Sequence, residues 1–428
     1  MRTSITERGR KQWNASTDPA RADTLNAYLG GRNNNLNLIR IVAASAVLVS
    51  HSYVLTTGDP GQKPLVAQTG LSLGTFSVIV FFAISGLVIA RSFDRRSSLA
   101  HFIAARVLRL WPGLLVVLAL SAFVIGPAVT TLPWRAYWYH HALWTYVPVN
   151  FTLVFRQDAL PGVFDASPFG NSVNGSLWSL FYVVSCYGVV VLLGLLGLLR
   201  RGWAFTLFMA IVVAAHLWAL THRPPNGLMF RLQVFAFYGF PFALGIAAYV
   251  WRDHLPIKGW LALAVWLLPL AFHATIYEPT GLMIALTYTS YYLAFVPQGV
   301  VLLYNRLGDY SYGIYIYAFP AQQILVNYFP HMSPVQHMAC AAPIVLLFAI
   351  ASWHGFESHA LVLARPWGSK GAKPAAIDQC QRRGHASQPQ INHIVEVEWP
   401  DCTIEHFING MERNDAQGSK QDHHHGNA

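Results

Sequence analysis

The chain of 428 residues carries 54% hydrophobic but only 11% charged side chains, with an aromatic share of 14%. Soluble domains carry about a quarter charged residues, so water cannot be the solvent for most of this surface and lipid must be. The formal net charge of +10 does not point to nucleic acid, because Lys and Arg gather at the ends of apolar runs and form no basic stripe.

Residues 1–32 are polar and basic, with Arg2, Arg8, Arg10, Lys11, Arg21 and Arg32, and no cleavable signal peptide is evident. The first apolar run is therefore expected to act as a signal anchor. A spanning helix needs about 20 mainly apolar residues. That criterion predicts an all-α, polytopic membrane bundle of about ten helices, near 36–56, 72–91, 103–128, 177–199, 203–221, 232–251, 259–276, 281–303, 311–329 and 335–357. Alternate connections hold Arg91, Arg95, Arg96, Arg106 and Arg109, then Arg200 and Arg201, then Arg252 and Lys258, then Arg306. The connections between them hold Lys63, Arg135, Arg156 and Arg223. The bias predicts that both termini lie in the cytoplasm.

The first helix reads Asn37-Leu-Ile-Arg40, then ten residues, then His51-Ser52. Eleven positions return the side chain to nearly the same helix face and rise roughly 16 Å. Arg40 should then lie near the cytoplasmic boundary, with His51 in the outer half of the membrane. Ionisable groups inside a span are costly and are functional candidates. Spacing alone also allows a snorkelling arginine and a core histidine bonded to a neighbouring helix. Further on, Arg106-Val-Leu-Arg109 precedes Trp111-Pro112. Residues at i and i+3 share a face, and two guanidinium forks suit phosphate oxygens; positive-inside anchoring also explains them.

The outer-side loop 129–176 is rich in aromatics: Trp134, Tyr137, Trp138, Tyr139, Trp144 and Tyr146. It reads as an interfacial belt or a re-entrant segment, with stacking against a sugar as the functional alternative. His140-His141 has no further ligand pattern beside it. Cys186 and Cys340 sit in apolar runs and Cys380 and Cys402 in the tail, without CxxC spacing, so neither a disulfide framework nor a metal site is expected. The polar tail 366–428 ends in His423, His424 and His425 and reads as a disordered cytoplasmic extension. That leaves 33–365 as the membrane domain.

Arg40-(ten residues)-His51, Phe81-Phe-Ala-Ile-Ser85-Gly86 and Arg106-x-x-Arg109 resemble the opening of the membrane acyltransferase family three. Members of that family acylate sugars and related acceptors at bacterial inner membranes. Gly175-Ser-Leu-Trp178-Ser-Leu180 resembles the family's Ser-Leu-Trp-Thr/Ser-Leu segment. Gly308-Asp-Tyr-Ser311-Tyr312-Gly313-Ile-Tyr315 resembles its late span, and Trp353-x-x-x-Glu357 its closing element. The likeness covers roughly residues 33–368.

It implies an inner-membrane enzyme that moves an acyl group, most often acetyl, from cytoplasmic acyl-CoA to a hydroxyl of a glycan or small-molecule acceptor. The donor would bind at Arg40, Arg106 and Arg109. His51, of a residue type whose ordinary pKa is near 6.5, would be general base or acyl carrier. Ser85, Trp178, Ser311, Tyr312 and Glu357 would support the site. Acyl-CoA is a co-substrate, and neither a bound cofactor, a metal nor a nucleic-acid partner is implied. Two positions depart from the pattern. Val183 stands where the family usually has an acidic residue, and Ala318 lies near a frequent histidine. Glu278 and Asp309 are candidates to compensate. Rival readings are a transporter of sugars or lipid-linked intermediates and a catalytically inactive relative, the latter suggested by Val183.

Overall fold

Helices start where a side chain can satisfy the first free backbone N–H groups. Ser72 accepts from the Thr75 N–H, Ser98 from the His101 N–H, and Ser333 forms a reciprocal capping box with Gln336. The computed structural model describes residues 23–31, 34–95, 98–222, 224 and 226–363. The basic segment 1–22, Arg32, Arg96, Arg223 and the predicted tail 366–428 lie outside the described residues.

The described residues contain nine helices of 18 or more residues: α1 Leu36–Thr57, α2 Leu73–Asp94, α3 Leu99–Leu120, α4 Trp178–Leu195, α5 Gly202–Thr221, α6 Gly227–Val250, α7 Glu278–Phe295, α8 Ser311–Tyr328 and α9 Pro334–Ser352. α3 and α9 run on through π-helical turns, Ser121–Ile125 and Trp353–Glu357. Seven runs are long and apolar enough to cross a membrane, among them Leu99–Val129 and Pro334–Leu363. α7 and α8 are not among them, being more polar for their length. α8 tolerates that polarity because protein surrounds it: all thirteen residues from Ser311 to Gln323 are buried, and α1, α3 and α9 pack against it. A helix buried on every side need not show the apolar surface that lipid demands.

Two predicted spans take a different form. The run 259–276 divides into Gly259–Ala264 and Leu267–Ala271 and then turns at Ala274, whose φ is 58°. The run 281–303 stops at Phe295, and Gly299–Arg306 is a separate 3₁₀ helix. Pro297 cannot supply a helical N–H, and Gly299 takes a left-handed φ of 82°.

The aromatic loop forms two short helices, Trp134–Tyr139 and His141–Phe151. Tyr137 donates to the Ala122 carbonyl at 2.7 Å, and Trp138 stacks on Phe123 at 6.3 Å. Trp134, Tyr139 and Trp144 remain exposed. His140 caps a helix, its Nδ1 accepting from the Ala142 N–H at 3.1 Å. No cluster of three metal-ligating side chains occurs among the described residues. The second half of the loop folds back onto α8. Ser167 donates to Gln323 at 2.8 Å, and the Gln323 amide donates to the Gly170 and Ser172 carbonyls at 3.2 and 2.9 Å.

α2 and α6 meet backbone to backbone. A Cβ on Gly86 would overlap the Phe242 carbonyl oxygen, and one on Gly245 would overlap the Ala83 carbonyl oxygen. Small residues allow such close crossings in membranes. Gly86→Val should therefore force the pair apart and cost about 1–3 kcal/mol, the usual penalty of overpacking. Thermal unfolding in detergent checks this: a lowered midpoint is expected, and an unchanged one would contradict the crossing.

Candidate active site

Arg40 of α1, Ser85 of α2, Arg106 and Arg109 of α3, Ser179 of α4, and Ser311 and Tyr312 of α8 line one cavity of about 430 Å³. The residues gather because five helices converge at the Arg40 end of the bundle. Asp309, in the turn that starts α8, joins three of them, Arg40, Arg109 and Ser311. Its Oδ1 accepts from the Ser311 hydroxyl at 2.5 Å. Its Oδ2 lies 2.5 Å from Arg109 Nη2 and 3.6 Å from Arg40 Nη1. Burial opposes ionisation of Asp309, but Arg109 and then Arg40 outweigh it and hold the carboxyl below its ordinary range.

Arg109 has a second acidic partner, Glu357 Oε2 at 3.6 Å. Its guanidinium lies between the rings of Trp353 at 5.4 Å and Tyr312 at 5.9 Å. Tyr312 is fixed in turn by donating to the Leu110 carbonyl at 2.7 Å. Glu357 accepts from Ser352 at 2.5 Å across the π-helical turn, a local distortion frequent at functional sites. The Gly308-Asp309 turn lies against Trp353 so closely that a Cβ on Gly308 would overlap the indole. Arg40 and Arg109 thus share Asp309, and Arg109 is shared in turn with Glu357.

Deeper in, the wall becomes apolar with Val78, Phe81, Phe82, Leu180 and Val183. Val183 thus lines the same cavity as the arginines. The Tyr315 hydroxyl donates to the Ser176 carbonyl at 2.9 Å and so accepts the Ser179 hydroxyl at 2.6 Å.

His51 does not line the cavity. Arg40 and Ser85 share it while Ser50 meets Gly74, so α1 and α2 run antiparallel in a fixed register. By that register Val78, the lining residue nearest the far end of α2, stops roughly 6–8 Å short of His51 along the axis. The His51 ring sits edge-on to Phe319 at 5.1 Å, and Phe319 meets Phe169 of the folded-back loop at 6.2 Å. His51 Nδ1 is buried without a hydrogen-bond partner among the described residues, a site where an unmet polar atom calls for an explanation. The turn carrying His51 is pinned from α8 by Gln322, whose amide donates to Leu48 O at 2.9 Å and Ser52 Oγ at 2.7 Å. His337 of α9 bonds to the Gln322 carbonyl at 2.9 Å, which requires the proton on its Nε2.

Trp178 lies outside the cavity, 5.2 Å from Tyr238. Glu357 acts on it through Arg109. Ala318 is fully buried among Ala44 and Leu48. Glu278 closes the turn at the far end, accepting from the Ala274 N–H at 2.8 Å with His273 at 3.3 Å. Of the two acidic candidates, only Asp309 joins the arginines. Gln322 and His337 were not singled out from the sequence; the available signal was a pair of amides and a histidine inside apolar helices.

A family model described as "Acyltransferase domain" matches residues 33–354. The "O-acetyl transferase" of Shigella phage Sf6 is 29% identical over 348 residues, covering 78% of this chain and 98% of its own. "Nodulation protein 10" of Rhizobium leguminosarum bv. viciae is 29% identical over 196 residues, covering 44% of this chain and 51% of its own. No solved structure matches the chain.

Proposed function

Because the chain belongs to the membrane acyltransferase family three, whose match spans residues 33–354, we propose that it carries an acetyl group from acyl-CoA to a glycan hydroxyl. One observation carries the reading: Arg40, Arg106 and Arg109 open into one cavity, while His51 lies beyond its far end on the same helix. The arginine forks would hold the phosphates of the donor, and Asp309 and Glu357 set the orientation of Arg109. The apolar depth beyond Arg109 suits the uncharged pantetheine arm and the acyl group. The name of the phage relative supports acetyl as the group moved.

The chemistry at His51 is that of a general base. Its imidazole takes the proton of the acceptor hydroxyl as that oxygen attacks the thioester carbonyl. The tetrahedral intermediate expels the CoA thiolate, which receives the same proton from the imidazolium. Ester and free thiol result, with His51 neutral again. A transient acyl-histidine is the competing route. His51 Nδ1 has no hydrogen-bond partner among the described residues.

The bias of Arg and Lys toward alternate connections favours a cytoplasmic Arg40 end and an outward His51 end in the inner membrane. The acceptor is then a glycan displayed outside. Mass spectrometry of surface glycans from cells with and without the protein tests the proposal. Acetyl esters present only with the protein are expected; identical glycans from both would refute it.

A further inference from the structure

The bundle holds a second cavity, of about 680 Å³, at the opposite end. It lies between the approach to α2, the end of α5, the first turns of α6 and the turn before α7. Its volume is within the range of small-molecule sites. Gln68, Gln233, His273 and Glu278 give its wall hydrogen-bonding groups, and Phe237 and Tyr238 give it rings. The Gln233 amide donates to the Ala219 carbonyl at 3.0 Å, which leaves its side-chain oxygen to accept. Glu278 is 9% exposed, and no Lys or Arg is among the described residues that line the cavity. Polar side chains beside aromatic rings suit a neutral, polyhydroxylated molecule.

The inner wall connects this cavity with the first. Tyr238 lies 5.8 Å from Phe82, which lines the arginine cavity, and 5.2 Å from Trp178. One layer of rings therefore separates the two. Leu71, just before α2, also lines this cavity. Gly74, in the first turn of α2, abuts Ser50, the residue before His51. The cavity and the turn of α1 that carries His51 thus both reach the start of α2.

We propose that the second cavity is a subsite for the glycan acceptor, holding the sugar beside the one that reacts. Phe82 and Tyr238 form the partition between the acceptor and donor sides, with Trp178 packed against Tyr238. The inference rests on the acyl-transfer reading given above, and it assigns Trp178 a place that the arginine cavity does not. Gln233 and Phe237 would act on acceptor binding, away from the reacting atoms.

The test uses the full-length protein in lipid nanodiscs, with acetyl-CoA as donor and the soluble glycan fraction released from the source cells as acceptor. Gln233→Leu keeps the side chain's bulk and removes its amide. It should raise KM for the glycan roughly three- to tenfold, as expected for one lost hydrogen bond. KM for acetyl-CoA and acceptor-free hydrolysis of acetyl-CoA should stay at wild-type values. Phe237→Leu gives a second reading of the same KM should the first variant fold poorly. An unchanged glycan KM in both variants, with transfer intact, overturns the subsite and leaves acyl transfer standing. A wild-type protein that moves no acetyl group at all overturns both.

Discussion

His51→Ala is expected to lower the turnover of acetyl transfer by about 10²–10⁴-fold, the usual contribution of a general base. KM for acetyl-CoA should remain near wild type, because the arginines that would bind the donor lie about three helical turns away. The split follows from the geometry: the arginine cavity ends short of His51, so the residue would not touch the phosphates. Initial rates at varied acetyl-CoA check both halves. Transfer at the wild-type rate by the alanine variant would remove His51 from the chemistry. His51→Gln keeps a similar bulk against Phe319 and should be as slow as alanine, which separates a lost base from a lost packing contact.

Arg109→Met should cost about 3–5 kcal/mol of stability, the usual result of leaving buried charges without their partner. Arg109 joins Asp309 and Glu357, which lie on separate elements before α8 and after α9. Its loss leaves Glu357, whose side chain is only 3% exposed, without its cation. Arg109→Lys keeps one charge but cannot offer two forked faces to two carboxylates, so an intermediate loss is expected. Thermal midpoints in detergent should rank wild type, lysine and methionine in that order. Donor affinity measured on the lysine variant should fall as well, since Arg109 both braces the site and would bind phosphate. A methionine variant as stable as wild type would show that the network does not brace the helices.

Helix positions were largely legible from hydropathy because lipid imposes a simple rule on every residue that faces it. The rule fails where protein replaces lipid. α8 has Tyr312, Tyr315, Tyr317, Gln322 and Gln323 on a helix that packs against α1, α3 and α9. The run 259–276 looked continuous because apolar content does not reveal where a helix stops and turns. Ala274 in a left-handed conformation leaves no mark in composition.

The site divides in the same way. Arg40, Arg106 and Arg109 could be picked out because charge near a membrane span is rare. The family pattern implies that the three share a donor site, but the contact of Asp309 with both Arg40 and Arg109 depends on how α1, α3 and the turn before α8 meet in space. Nor could spacing show that His51 and Arg40 share a helix without sharing a cavity. Eleven residues set the axial rise, but the register of α2 against α1, fixed where Gly74 meets Ser50, decides where the cavity ends.

The central claim is that donor and acceptor meet from opposite sides of the membrane. Proteoliposomes in which the protein has one known orientation test it most directly, with acetyl-labelled acetyl-CoA on the Arg40 side only and the glycan on the His51 side only. Labelled glycan is the predicted result, and it should vanish when the two substrates exchange sides. Labelling that occurs only with both substrates on one side, in either arrangement, would contradict it.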